Sequence, residues 1–137
     1  TFFRGRTSPR YFARLWKKFS SEDALDVVMI QDGMGTGKVT LQIMERYFTE
    51  ISRTLKDTGV EVWSIVEVFD ALEDDEKDFT AKSASLERVK TQMSLAGPMV
   101  DNQVAFSLRY FSPSSEMPGA EQLLDDYLDF STSSELP

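Results

Sequence analysis

The sequence predicts an α/β fold in which four parallel strands alternate with four helices. Short apolar runs rich in β-branched residues, such as residues 27–30, end abruptly in polar residues or glycine, which is typical of strands buried on both faces. Between these runs, apolar residues recur at helical spacing, and Ser or Thr stands where each helix would begin. Because strands and helices alternate, the sheet should be parallel with right-handed crossovers. We therefore expect one (βα)4 domain over residues 1–130 and a disordered tail over residues 131–137.

The first two units lie in the N-terminal half. The first has a strand ending at residues 2–5 and a helix that begins at Ser8, with Pro9 in its first turn. The second has a strand over residues 26–31 and a helix that begins at Thr40 and ends before Gly59. The expected buried stripe of this helix consists of Met44, Tyr47, Phe48, Ile51 and Leu55.

The last two units follow an extended apolar run. Residues 60–69 predict the third strand, and the acidic segment 70–82 is expected to be a solvated loop. The third helix should begin at Ser83 or Ser85, and the fourth at about Ala120. The fourth strand is expected over residues 104–111. The apolar residues expected to pack from the two helices are Leu86, Val89, Met93, Ala96, Leu123, Leu124, Tyr127 and Leu128.

Composition narrows the function classes. The 137 residues carry a formal net charge of −8, which argues against a nucleic-acid backbone or an anionic membrane as the main partner. The chain has no Cys and no His, so thiolate and histidine catalysis and histidine metal sites are excluded. Acid–base chemistry must then use Asp, Glu, Tyr, Lys or water. We expect no cofactor and no metal, because no carboxylate spacing demands calcium or magnesium.

A glycine-rich segment follows the second predicted strand. Residues 33–38, Gly-Met-Gly-Thr-Gly-Lys, partly match the phosphate-binding pattern G-x-x-x-x-G-K-[ST]. Asp32 stands where the first glycine belongs, and Val39 where the hydroxyl belongs. A simple glycine-rich turn is therefore favoured over a nucleotide-binding loop, which stays an alternative.

Polar residues end all the predicted strands: Arg4 with Gly5, Gln31 with Asp32, Glu67 with Asp70, and Arg109 with Tyr110. In a parallel sheet these ends lie along one rim, where α/β proteins bind ligands. Two carboxylates on neighbouring strand ends form the arrangement that hydrolyses glycosidic bonds.

Three segments also resemble a known family. Residues 25–35 contain Asp-Val-Val-Met-Ile-Gln-Asp-Gly, residues 59–69 contain Gly-Val-Glu-Val-Trp followed by Val-Glu-Val-Phe, and residues 106–113 resemble a barrel-closing strand. Together they resemble family 4434 of the domains of unknown function, a bacterial TIM-barrel family similar to glycoside hydrolases. The resemblance covers most of the chain and implies the C-terminal half of a (β/α)8 barrel acting on carbohydrate. It places Gln31, Asp32, Glu67 and Tyr110 on the catalytic face.

These observations lead to one main hypothesis. Glu67 would be the catalytic acid/base and Asp32 its partner, while Gln31, Tyr110, Arg109 and Asp70 would bind substrate. The alternative is a non-catalytic carbohydrate-binding or scaffold half-barrel. Because a TIM barrel typically needs about 250 residues, we expect a homodimer or a separate N-terminal half to complete it. A secreted or periplasmic location would suit such an enzyme.

Overall fold

The computed structural model describes residues 7–20, 25–72 and 79–133. The predicted first strand, at residues 2–5, lies outside these residues. The elements follow in the order α1 (Pro9–Ser20), β1 (Val27–Gln31), α2 (Leu41–Leu55), β2 (Glu61–Glu67), β3 (Phe69–Ala71), β4 (Ala81–Ser83), α3 (Leu86–Ala96), β5 (Asn102–Phe106) and α4 (Ala120–Thr132).

A parallel sheet is the centre of the fold. Its strand order is β1-β2-β5, with Val27 opposite Glu61 and Glu67 opposite Phe106 at the two ends of the ladder. The predicted α/β class and parallel pairing are thus confirmed. The described residues contribute three strands to this sheet, rather than the four that were predicted.

The helices begin where the sequence predicts. The hydroxyl of Ser8 accepts a hydrogen bond from the backbone N–H of Tyr11, and Thr40 and Ser85 cap α2 and α3 in the same way. Each hydroxyl satisfies one of the N–H groups that a helix leaves unpaired at its first turn. The positive φ of Gly59 lets the chain turn after α2 into β2.

One face of the sheet is covered by helices. Val28, Ile30 and Val62 pack there against α1 and α2, and the whole predicted stripe of α2 is buried. A second cluster lies toward the carboxyl ends of the strands and includes Val66, Val68, Phe69, Ala81, Ala84, Val89, Tyr110 and Leu123.

The opposite face of the sheet is more open. Side chains alternate along a strand, so this face carries Met29, Trp63, Ile65, Val104 and Phe106. Met29 and Phe106 are 46% and 47% exposed, and the other three are half-buried. We call this surface the open face.

The segment after β2 differs from the prediction. The run 60–69 does not form one strand, because β2 ends at Glu67 and β3 begins at Phe69. The segment 70–82, expected to be a solvated loop, includes an antiparallel pairing of β3 with β4. The backbone N–H of Ala71 donates to the carbonyl of Gly35, and that of Ser83 donates to Pro118. These long-range hydrogen bonds stabilise the extended backbone of β3 and β4.

The predicted strand over residues 104–111 is also corrected. β5 ends at Phe106, a cis peptide bond joins Phe106 to Ser107, and a 3-10 turn covers Leu108–Phe111. Within that turn, Tyr110 stacks on Phe69 with 5.0 Å between ring centroids. Tertiary packing therefore overrides the β-propensity of this segment.

Two helices bury fewer of the expected residues. In α3, Met93 is exposed while Gln92 is fully buried. In α4, Leu123 is buried, whereas Tyr127 and Leu128 are about half exposed. The helix runs to Thr132, so the first two residues of the expected tail are helical, and residues 134–137 lie outside the described part. Within residues 7–20, 25–72 and 79–133, no helix is long and apolar enough to cross a membrane.

Candidate active site

The structure brings together three of the predicted site residues, Gln31, Asp32 and Glu67. They lie at the carboxyl ends of β1 and β2, where the backbone N–H of Asp32 donates to the carbonyl of Ile65 and extends the ladder. Strand alternation directs Gln31 and Glu67 to the side of the open face. Asp32 instead points to the helical side, where its carboxylate meets Gln92 of α3.

The Glu67 carboxylate is held at both oxygens. Oε1 accepts a 2.5 Å hydrogen bond from Nε2 of Gln31, and Oε2 accepts a 2.7 Å bond from the backbone N–H of Gly35. The backbone N–H of Thr36 contributes a further hydrogen bond. This loop is closely packed, because a Cβ on Gly35 would lie 2.5 Å from the carbonyl oxygen of Phe69. Only glycine lets the loop approach this carboxylate so closely.

The environment of Glu67 favours its protonated form. The side chain is fully buried, and burial is the main reason that its pKa rises from 4.5 to about 6. The negative charge of Asp32 raises the pKa further, while the bonds from Gly35, Gln31 and Thr36 partly offset the rise. A carboxyl group with this pKa can hold or release a proton close to neutral pH.

Asp32 is surrounded by donors. Its oxygens accept hydrogen bonds from the backbone N–H groups of Met34 and Glu67, at 3.1 and 3.3 Å for Oδ1, and from Nε2 of Gln92, at 2.6 Å for Oδ2. Burial raises the pKa of Asp32, and these bonds oppose the rise. Its hydrogen bonds to the N–H groups of Met34 and Glu67 fix the backbone at both residues.

Two residues of α3 that the sequence analysis missed complete this arrangement. Arg88 donates to the carbonyls of Glu67 and Phe69, at 3.1 and 2.7 Å, and to the side-chain oxygen of Gln92. Gln92 lies three residues after Val89 and four before Ala96, on the buried stripe of the helix. A polar residue at that spacing was the signal that sequence reasoning could have used.

The other predicted residues lie around this centre. Asp70 forms an ion pair with Arg88, 3.0 Å between Oδ1 and Nε. Tyr110 is buried, and its pKa is raised by burial and by the charge of Glu67. Arg109 is exposed on the 3-10 turn, and its charge acts on Tyr110.

An aromatic cluster borders the site. Phe69 contacts the rings of Phe79, Phe106 and Tyr110, with centroid distances of 5.5, 6.5 and 5.0 Å. Phe79 and Phe106 are about half exposed. Phe106 pairs in register with Glu67, so the two side chains are neighbours on the open face.

Two N–H groups of the glycine loop are already occupied by a group of the protein. Those of Gly35 and Thr36 bind the Glu67 carboxylate, so the loop already holds an anionic group of the protein itself. In the part of the chain that is described, no cluster of three or more acidic side chains could hold a metal ion.

Comparison with known proteins agrees with this fold. The chain is similar to the crystal structure of a candidate α-L-fucosidase from Bacteroides thetaiotaomicron VPI-5482, with a TM-score of 0.72 and 20% sequence identity. The match covers 90% of this chain and 38% of that protein. The chain therefore has a glycosidase-like α/β fold and spans well under half the length of that relative.

The sequence itself identifies the family. Residues 1–122 match the model of the family described as Domain of unknown function (DUF4434). The chain belongs to this family. No curated protein matches the sequence.

Proposed function

We propose that this chain is the catalytic part of a glycoside hydrolase-like enzyme, with Glu67 as its acid/base. The observation that carries this proposal is the Glu67 carboxyl group, held at the carboxyl end of a parallel strand with a pKa of about 6. Glycosidases need a carboxylic acid that still carries its proton near neutral pH.

In the proposed reaction, Glu67 donates its proton to the glycosidic oxygen as the bond to the anomeric carbon breaks. The leaving sugar departs as an alcohol, and water supplies the hydroxyl of the other product. Gln31 and the N–H groups of Gly35 and Thr36 then stabilise the Glu67 carboxylate that remains. Water in the next step returns the proton to Glu67.

A second reacting carboxylate is usual in these enzymes. Asp32 is the nearest candidate in the sequence, yet its carboxylate points to the helical side of the sheet, where it meets Gln92, and away from the open face. We propose that Asp32 acts on Glu67 as a fixed charge. The second reacting carboxylate would then come from strands that complete the barrel.

The open face supports the idea of a larger barrel. Its apolar side chains lie together on one side of the sheet, and Met29 and Phe106 among them are about half exposed. We propose that further strands cover this face, contributed by a second copy of the chain or by an N-terminal half-barrel. The match to only 38% of the candidate fucosidase supports the same view.

The substrate is proposed to be a carbohydrate. The exposed ring of Phe106 beside Glu67, and that of Phe79 against Phe69, offer flat apolar surfaces for the C–H faces of a sugar. Tyr110 and Gln31 supply polar groups near the same carboxylate. This arrangement also suits the second candidate function, a carbohydrate-binding module without catalysis.

A panel of aryl glycosides, assayed with the wild type and with Glu67→Gln, tests the proposal. We expect hydrolysis of at least one glycoside by the wild type and a loss of at least about 100-fold in the variant. Glu61→Gln is the matched control, because Glu61 lies on the same strand but is exposed, and the hydrogen bond described for its side chain is the one from Trp63 Nε1. Wild-type glycan binding without hydrolysis would favour the binding module, and full activity of Glu67→Gln would overturn the role of Glu67.

A further inference from the structure

The buried polar side chains behind the sheet form a continuous series from the surface to Glu67. Asp70 pairs with Arg88, Arg88 donates to Gln92, Gln92 donates to Asp32, and Asp32 accepts the backbone N–H of Glu67. The proposed hydrolysis uses none of the first four groups directly. Their arrangement therefore needs its own explanation.

The chemistry of the donors fixes the direction of each bond. Arg can only donate, so the Gln92 atom that it contacts must be the amide oxygen. The amide nitrogen of Gln92 is then turned toward Asp32 and donates to Oδ2 at 2.6 Å. Every described hydrogen-bond partner of Asp32 is a donor, so both of its carboxylate oxygens act as acceptors.

Asp32 in turn fixes the two backbone segments that surround the Glu67 side chain. It accepts from Met34 N–H in the glycine loop and from Glu67 N–H at the end of β2. The next loop residue, Gly35, donates to the Glu67 carboxylate. A displacement of Asp32 would therefore move both the carboxylate and its donor.

We propose that Arg88 and Gln92 form a relay in which Gln92, oriented by Arg88, positions Asp32, and Asp32 positions Glu67 together with the glycine loop. Arg88, Gln92 and Asp32 are positioning residues, and Glu67 is the group that reacts. The charged groups in this relay are Asp32, Glu67, Asp70 and Arg88. Burial lowers the pKa of Arg88, and the three carboxylates oppose that fall. The charge of Asp32 also raises the pKa of Glu67. The inference rests on the proposed function only in taking Glu67 as the group that reacts.

A double-mutant cycle tests the relay by exchanging the donor and the acceptor in the hydrogen bond between residues 32 and 92. In Asp32→Asn, the donating amide of Gln92 faces another amide and loses its carboxylate acceptor. In Gln92→Glu, two carboxylates face each other. The double variant restores one donor and one acceptor, with the polarity reversed. We expect each single variant to lower the urea midpoint, and the double variant to recover at least half of the summed loss.

A second readout separates positioning from mere packing. The amide signal of Gly35 should titrate with Glu67 in the wild type, with a midpoint near 6, because that N–H binds the carboxylate. In Gln92→Leu, which removes no charge, the amplitude of this titration should fall, because a displaced glycine loop holds the N–H of Gly35 less closely against the carboxylate. Gln122→Leu is the matched control, because Gln122 donates to Asp126 on the exposed face of α4; we expect no change in the amplitude.

Additive losses in the cycle, or a Gly35 amplitude that Gln92→Leu leaves unchanged, would overturn the relay. If a single variant does not fold, the wild type still decides the question, because the side-chain amide protons of Gln92 should exchange slowly with solvent. Rapid exchange of those protons would contradict the proposal. These readouts need no substrate, so absence of glycoside hydrolysis would overturn the proposed function and leave the relay standing.

Discussion

The side-chain amide of Gln31 donates a 2.5 Å hydrogen bond to the carboxylate of Glu67 across neighbouring parallel strands. Gln31 lies opposite Ile65 in the ladder, two residues before Glu67, so strand alternation puts both side chains on the same face. Asp32, the next residue along, is directed to the other face by the same alternation. Gln31 thus binds the Glu67 carboxylate on one side of the sheet, and Asp32 accepts a hydrogen bond from the backbone N–H of Glu67 on the other.

The raised pKa of Glu67 makes stability depend on pH in a definite direction. The folded protein binds the proton more tightly than the unfolded chain, so the Glu67 contribution is fully favourable below pH 4.5 and is lost as pH rises to about 6. Glu67→Gln should remove this dependence. We expect the difference in unfolding free energy, variant minus wild type, to rise by roughly 2 kcal/mol between pH 4 and pH 7. Urea denaturation across this pH range measures it.

The control for this measurement is Gln103→Leu on β5. Gln103 carries no titratable group, and its side chain donates to the carbonyl of Met93. Its difference curve from the wild type should be flat over the same range. A flat curve for Glu67→Gln as well would show that Glu67 has an ordinary pKa.

Gly35 should be intolerant of any side chain. A methyl group there would meet the carbonyl oxygen and ring of Phe69 at 2.5 to 2.9 Å. We expect Gly35→Ala to lower the free energy of unfolding by ~1–3 kcal/mol and to weaken the hydrogen bond to Glu67. Gly97→Ala is the control, because a methyl group on Gly97 would meet nothing within 4 Å apart from its chain neighbours and its own helix. Equal stability of the two variants would contradict the close packing of the loop.

Phe106 should contribute to substrate binding more than to turnover. Its half-exposed ring lies beside Glu67 and contacts Phe69. For any glycoside that the protein hydrolyses, we expect Phe106→Ala to raise KM about tenfold, or about 1.4 kcal/mol, with little change in kcat. Leu108→Ala is the control, since Leu108 is 80% exposed and lies outside the aromatic cluster. A fall in kcat at constant KM would contradict a binding role.

The open face should determine the oligomeric state. Light scattering coupled to size exclusion should give twice the chain mass of 15.6 kDa if a second copy covers this face. Met29→Lys would then give a monomer, because it buries a charge in the interface. Tyr11→Lys is the control, because Tyr11 is about as exposed as Met29 but lies on α1. This variant should remain a dimer. A monomeric wild type would contradict closure by a second copy.

Local signals predicted much of the fold. The caps at Ser8, Thr40 and Ser85, the buried stripe of α2 and the parallel strands were all predictable, because propensity and packing agree there. The hairpin of β3 and β4 and the 3-10 turn at Tyr110 were not. Long-range contacts with Gly35 and Phe69 determine both elements, and no local pattern encodes them.

The candidate site was predictable only in part. Strand ends identified Gln31, Asp32 and Glu67, because polar residues after an apolar run mark the rim of a parallel sheet. Strand alternation alone puts Gln31 and Asp32 on opposite faces, but the sequence did not show that Asp32 binds Gln92, 60 residues away. Arg88 and Gln92 were missed for the same reason.

The titration of the Glu67 carboxyl group is the most direct test of this account. Carboxyl ¹³C NMR of glutamate-labelled protein, with Glu67→Gln used to assign the signal, would follow its ionisation from pH 3 to pH 8. We expect a midpoint of about 6, well above the ordinary value of 4.5. A midpoint at or below 4.5 would contradict the central claim, because Glu67 would then carry no proton to donate near neutral pH.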